Sequence, residues 1–131
     1  MQKSPLPVSL SPWLSVRDAV AAVSFYKSAF GATEEYRLEI PGGGLVVRLA
    51  VEGATFWVSG EPGNHDSAIP ESVGGNTVRM ILTVADPDSF FTKALKAGAK
   101  EIFPVGEAHG WKLGRLVDPY GLHWEIGYQL T

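Results

Sequence analysis

The sequence predicts an α+β domain of two tandem βαβββ modules, and three matched stretches carry that reading. Trp13-Leu14-Ser15-Val16 with Asp18 returns as Ile81-Leu82-Thr83-Val84 with Asp86, 68 residues later. The run from Ala21 to Ala32 returns, with a one-residue slip, as Ser89 to Ala99. Val51-Glu52-Gly53-Ala54-Thr55-Phe56-Trp57-Val58 returns as Pro119-Tyr120-Gly121-Leu122-His123-Trp124-Glu125-Ile126, again at 68. Three matches in one order mark an internal repeat, which fixes the architecture before any single element is assigned.

Each module opens with an alternating strand, at about 9–16 and 78–84. A helix follows, with Asp18 or Asp86 near its start and Gly31 or Gly98 past its end, where a left-handed cap is favoured. Ala22, Phe25, Tyr26, Ala29 and Phe30 fall at helical spacing, as do Phe90, Ala94 and Ala97, so these are expected core faces. Three more strands complete each module, near 33–39, 45–51 and 54–60, then near 100–105, 112–117 and 122–129. Pro41-Gly42-Gly43-Gly44, Glu52-Gly53 and Asp118-Pro119-Tyr120-Gly121 read as turns. The chain is expected to be one domain over 1–131, with module one at about 8–60 and module two at about 77–131. Residues 61–76, rich in Gly, Pro, Asn and Ser, read as the linker.

Composition bounds the function. The chain has 131 residues, of which 45% are hydrophobic and 19% charged, so it can bury a core of its own. A net charge of -3 speaks against a nucleic-acid partner, which needs a basic face. No apolar run is long enough to span a membrane, and the start lacks a signal-peptide core, so a cytoplasmic location is expected. With no cysteine, disulfides, thiolate metal sites and a Cys nucleophile are excluded.

Val16-Arg17-Asp18, Phe25-Tyr26 and Ala29-Phe30-Gly31-Ala32, followed in the second module by Val117-Asp118-Pro119-Tyr120-Gly121 and Trp124-Glu125-Ile126, resemble the vicinal oxygen chelate superfamily of glyoxalase, bleomycin-resistance and extradiol-dioxygenase proteins. Ser11-Pro12-Trp13-Leu14-Ser15 and Ala108-His109-Gly110-Trp111 are most similar to its PhnB-like branch. The resemblance implies that each module bends a mixed sheet into half a cup with its helix outside. It also implies that metal-dependent relatives take one ligand from the first and one from the last strand of each module. The matching positions here are Ser11, Trp57, Arg79 and Glu125.

Of these four, only Glu125 is an ordinary ligand for a divalent cation, whereas a catalytic site usually needs three. The histidines do not restore the set: His65 falls in the linker, His109 in a loop, and His123 adds only one donor beside Glu125. No metal or other cofactor is therefore expected.

Alternation places Ser11, Trp13, Ser15, Thr55, Trp57, Ser59, Arg79, Ile81, Thr83, His123 and Glu125 toward the cup, and Arg48 with them. Leu10, Leu14, Val16, Phe56, Val58, Trp124, Ile126 and Tyr128 are expected to pack behind. Ser11, Trp13, Arg48, Trp57, Arg79, Trp111, His123 and Glu125 form the candidate ligand-binding set, with Trp13 and Trp57 as flat walls. Arg79 suits a carboxylate or phosphate, and Glu125 an amine or the role of a general base. Arg79 and Glu125 pairing with each other, Trp13 and Trp57 as plain core, and His109 with Trp111 as loop packing are the alternatives.

The expected function is metal-independent binding of a small organic molecule. The alternative is an enzyme: a metal-dependent lyase or dioxygenase with rebuilt ligands, or a metal-free isomerase using Glu125. A third possibility is a dimeric interaction protein without a ligand. A homodimer is expected in the first case too.

Overall fold

The fold follows from two helices, each stopped at both ends by its own sequence. A computed structural model describes residues 7–60, 69–70, 74–75 and 77–130. In α1 (Ala19–Phe30) the Asp18 carboxylate accepts the Ala21 N–H at 3.0 Å, and Gly31 closes the helix at φ 69°. In α2 (Pro87–Ala97) Asp86 accepts the Ser89 N–H at 3.2 Å, Pro87 occupies the first turn, and Gly98 follows the last. Each capping carboxylate satisfies a helix N–H that has no intrahelical acceptor.

Each helix is embedded in a four-stranded mixed sheet. The first contains β1 (Trp13–Ser15), β2 (Thr33–Ile40), β3 (Gly44–Val51) and β4 (Ala54–Gly60), in the order β1-β4-β3-β2. The second contains β5 (Arg79–Thr83), β6 (Lys100–Ala108), β7 (Trp111–Val117) and β8 (His123–Gln129), in the order β5-β8-β7-β6. In both, the first strand runs parallel to the last and the remaining pairs are antiparallel. The α+β fold with its two βαβββ modules is therefore observed.

The repeat holds to the level of single residues. Trp13 pairs with Trp57, as Ile81 pairs with Glu125. The register shifts between Glu34 and Tyr36, and again between Glu101 and Phe103, so both modules carry the same bulge. The slip in the repeat also has a structural address. α2 is 11 residues long against 12 in α1, and the β7–β8 connection is longer than the Glu52-Gly53 turn, which restores the register.

Two strand boundaries differ from the sequence reading. β1 covers only Trp13–Ser15, because Pro12 before it has no N–H to carry the parallel ladder with β4 back toward Leu10. Leu10 is 98% exposed and does not pack against the helices. β6 extends to Ala108, and His109-Gly110 makes its turn into β7 with φ of 53° and 83°. The expected linker is described only at 69–70 and 74–75, and His65 lies outside the described residues.

The modules share one core. α1 packs against α2, and buried side chains from both sheets join a single cluster including Leu14, Tyr26, Phe56, Phe91, Trp124 and Ile126. At its centre is a carboxylate. Asp118, 4% exposed, accepts hydrogen bonds from the Tyr26 hydroxyl, from Trp124 Nε1 (2.9 Å), and from the backbone N–H of Tyr120 (2.9 Å) and Leu122 (3.0 Å). Burial raises its pKa, although all four bonds favour the ionised form.

Asp118→Ala should lower stability by about 3 kcal/mol, because it leaves buried donors without an acceptor. Asp118→Asn should cost less, since its carbonyl can still take the two backbone N–H groups. The raised pKa means that the carboxyl's contribution is full below its ordinary value of ~3.9 and declines as pH rises through the folded value. The stability gap between wild type and Asp118→Asn should therefore be wider at acid than at neutral pH in urea titrations. Gly114 is a second constraint: a Cβ there would lie 2.8 Å from Val105 N and 2.9 Å from Phe91 Cε2. Gly114→Ala should cost about 1–3 kcal/mol in the same assay.

Candidate functional site

The face of each sheet opposite its helix is built from rows of side chains that run across the strands. In the first sheet, cross-strand pairing lines up Tyr36, Arg48, Trp57 and Trp13. In the second it lines up Phe103, Arg115, Glu125 and Ile81. These rows are repeat-equivalent, member by member. Each presents an aromatic ring and then an arginine, and they diverge only at the last two positions.

In the first row, the Trp13 and Trp57 rings stack at 5.6 Å with 18° between planes, and Tyr36 meets Trp57 edge-on at 5.7 Å. Trp13 Nε1 donates to Ser59 Oγ at 2.7 Å, which fixes the indole, yet the side chain stays 54% exposed. The two tryptophans stack on each other, so they form one continuous wall. Arg48 covers Trp57, its guanidinium 5.5 Å from the ring, and its Nε lies 3.3 Å from Glu35 Oε1. Ser11, one row further, shares a 2.9 Å hydrogen bond with Thr55.

The second row borders a cavity of about 520 Å³, lined by Ile81, Phe103, Leu113, Trp111 and Glu125 among others. His109 stands at its rim, in the turn before Trp111. Glu125 is 15% exposed at its side chain and lies 3.4 Å from Arg79, so the pairing of these two groups is present. Arg115 Nε donates to His123 Nδ1 at 3.3 Å. Burial, and then the Arg115 charge, lower the His123 pKa.

The sequence-derived candidates thus divide between two sheets. Trp13, Arg48 and Trp57 meet in the first, with Ser11 beside them, and Arg79, Trp111, His123 and Glu125 share the second. Arg115 was missed. Its signal was nevertheless present, because it stands 67 residues after Arg48, the offset that holds between helix end and third strand. Among the described residues no group of three or more His, Asp or Glu side chains is placed to hold a metal ion, and no helix is long and apolar enough to cross a membrane.

Residues 13–126 match the family model of the glyoxalase-like domain. An uncharacterized protein of Mycobacterium bovis is 37% identical over 124 residues, spanning 91% of this chain and 82% of that protein. The X-ray structure of an Arabidopsis thaliana gene product superimposes with a TM-score of 0.72 at 29% identity, covering 94% of this chain and all of that one. The glyoxylase/bleomycin resistance protein/dioxygenase domain of Frankia sp. gives 0.75 at 17% identity, covering 95% and 93%. The chain belongs to the glyoxalase-like family, and its fold is that of the glyoxalase/bleomycin-resistance/dioxygenase superfamily.

The His123 shift gives a direct check. Its folded pKa lies below the unfolded one, so its contribution to stability is present above ~6.5 and lost as pH falls through the lowered value. An NMR titration should place the His123 midpoint below 6.5, and Arg115→Gln should move it upward.

Proposed function

We propose that this protein binds a small organic molecule without the help of a metal ion, holding a planar part of it against the aromatic rows of its open faces. The observation that carries this reading is the Trp13–Trp57 wall, fixed by Ser59 and flanked by Tyr36 and Arg48, yet half open to solvent. An indole held in place at its polar end and left uncovered on its face is costly as mere core and suited to stacking. The cavity on the second sheet adds apolar walls and polar groups, the usual mixture of an organic-ligand site.

The metal implied by the superfamily does not fit the donor set. The Ser11 hydroxyl is engaged with Thr55, Trp57 offers no ligand atom, and the Arg79 guanidinium sits against the single carboxylate, Glu125. Metal-free proton transfer by Glu125 is the second reading, favoured by its place in the cavity wall. Its pairing with Arg79 at 3.4 Å weighs against it, because that contact already occupies the carboxylate.

A homodimer is part of the proposal. Leu10 and Trp13 are exposed, and so are their repeat equivalents Val78 and Ile81. Such a matched apolar set on both modules suits a two-fold partner that completes the faces.

The test is native mass spectrometry of the purified protein, followed by titration with a library of planar compounds. Binding that weakens about tenfold in Trp57→Ala or Trp13→Ala is expected, from the energy of one aromatic contact. Protein that carries no ligand and binds none of the library would refute the proposal. Near-stoichiometric zinc, iron or manganese by elemental analysis would refute its metal-free part. Turnover abolished by Glu125→Gln would establish the second reading instead.

A further inference from the structure

The cavity on the second sheet is walled chiefly by carbon. Ile81, Phe103, Leu113 and Trp111 supply aliphatic and aromatic surface. Among the described residues no lysine or arginine lines it, and its acidic members are Glu107 and Glu125. An anionic ligand would find no cation in these walls and would meet like charge instead. Glu107 is exposed near the end of β6, where water solvates its carboxylate.

Glu125 is in a different state. Its side chain is only 15% exposed, so water reaches little of it. Arg79, which is half exposed and stands outside the cavity wall, holds it as a charge partner through Oε2, 3.4 Å from Nε. Among the described residues neither Glu125 oxygen accepts a hydrogen bond. A carboxylate offers about four lone-pair sites, and leaving them empty away from water is costly. Asp118 shows the contrast: it is buried too, but with four donors around it. Glu125 therefore has its charge offset and its acceptor capacity unfilled, on the wall of an apolar cavity.

We infer that this cavity binds an uncharged aromatic molecule carrying an N–H donor, and that Glu125 accepts the hydrogen bond. This rests on the proposed binding of an organic ligand and adds the chemistry by which the ligand is recognised. The ring lies against Phe103, Leu113 and Trp111, with its N–H turned toward β8. Because Arg79 already offsets the Glu125 charge, a cationic ligand gains little there and loses its hydration against the apolar walls. A ring of the same shape without the N–H leaves Glu125 as unfilled as before. That difference is what gives the site its selectivity.

Proton–nitrogen NMR titration of the full 15N-labelled chain tests this with four probes: indole, benzothiophene (its shape without the N–H), indole-5-carboxylate and 5-(aminomethyl)indole. The tryptophan side-chain N–H signals report position, Trp111 for this cavity and Trp13 with Trp57 for the first-sheet wall. Indole should shift Trp111 and bind about fivefold or more tightly than benzothiophene, the range of one hydrogen bond. Both charged probes should bind more weakly than indole. In Glu125→Leu the preference for indole should fall below about twofold, and Glu125→Gln, which keeps a carbonyl acceptor, should retain part of it. Dispersed backbone signals check that both variants are folded. Benzothiophene binding as tightly as indole at Trp111, tighter binding of either charged probe, or a preference unchanged in Glu125→Leu would overturn the inference while leaving the cavity as a ligand site. Shifts confined to Trp13 and Trp57 would overturn it while supporting the indole wall as the site. No shift with any probe would overturn it, and the proposal on which it rests would then stand or fall on the planar library.

Discussion

The rest of the structure depends on one buried carboxylate. Asp118 sits where the last hairpin turns, and its four hydrogen bonds reach a helix of the first module, a strand of the second and the turn itself. Tyr26 and Trp124, both donors to it, belong to an aromatic cluster with Phe25, Phe30, Phe56 and Tyr120. Burying such a group costs free energy unless every acceptor site is used, and the turn supplies donors in the required geometry. On the outer side, Arg17 donates to the Pro119 carbonyl at 2.8 Å and lies over the Tyr120 ring at 4.7 Å. The modules are thereby locked through their helices and their shared core. Their open faces are consequently free to vary.

That freedom is visible in how the repeat is spent. The scaffold positions are kept: capping aspartates, closing glycines, the bulge in the second strand and the parallel pairing of first and last strands. The row on each open face keeps its aromatic and its arginine, while Trp13 gives way to Ile81 and Trp57 to Glu125. One face therefore has a continuous indole wall with its arginine beside Glu35, and the other has Ile81 and Glu125 with its arginine bonded to His123. A duplicated unit can diverge in this way only where a side chain does not pack into the core, because substitutions there meet little resistance from neighbours.

Much of the fold was legible in the sequence because its signals are local. A capping Asp, a closing Gly and the spacing of apolar residues act within a few positions and do not need the tertiary structure. The repeat multiplied that information by showing each signal twice. The face assignments of Trp13, Trp57, Arg79 and Glu125 followed from period-two alternation alone. Leu10 was misplaced for an equally physical reason: alternation continues along a sequence, but the ladder of β1 stops at Pro12, which has no N–H to donate to β4. Arg115 escaped because the repeat slips by one residue across the third strand.

The sequence by itself determined the pair of βαβββ modules and the helix ends, since these depend on residue type and short-range spacing. Only the tertiary structure decided that Asp118 is a buried hub as well as a turn residue, that Trp13 and Trp57 stack on each other, and that Arg79 is spent on Glu125 while Arg115 is not. Those outcomes depend on strand register and on the competition of several groups for one partner. Such competition is settled by distances of a few ångströms between residues far apart in the chain, and no local pattern encodes them.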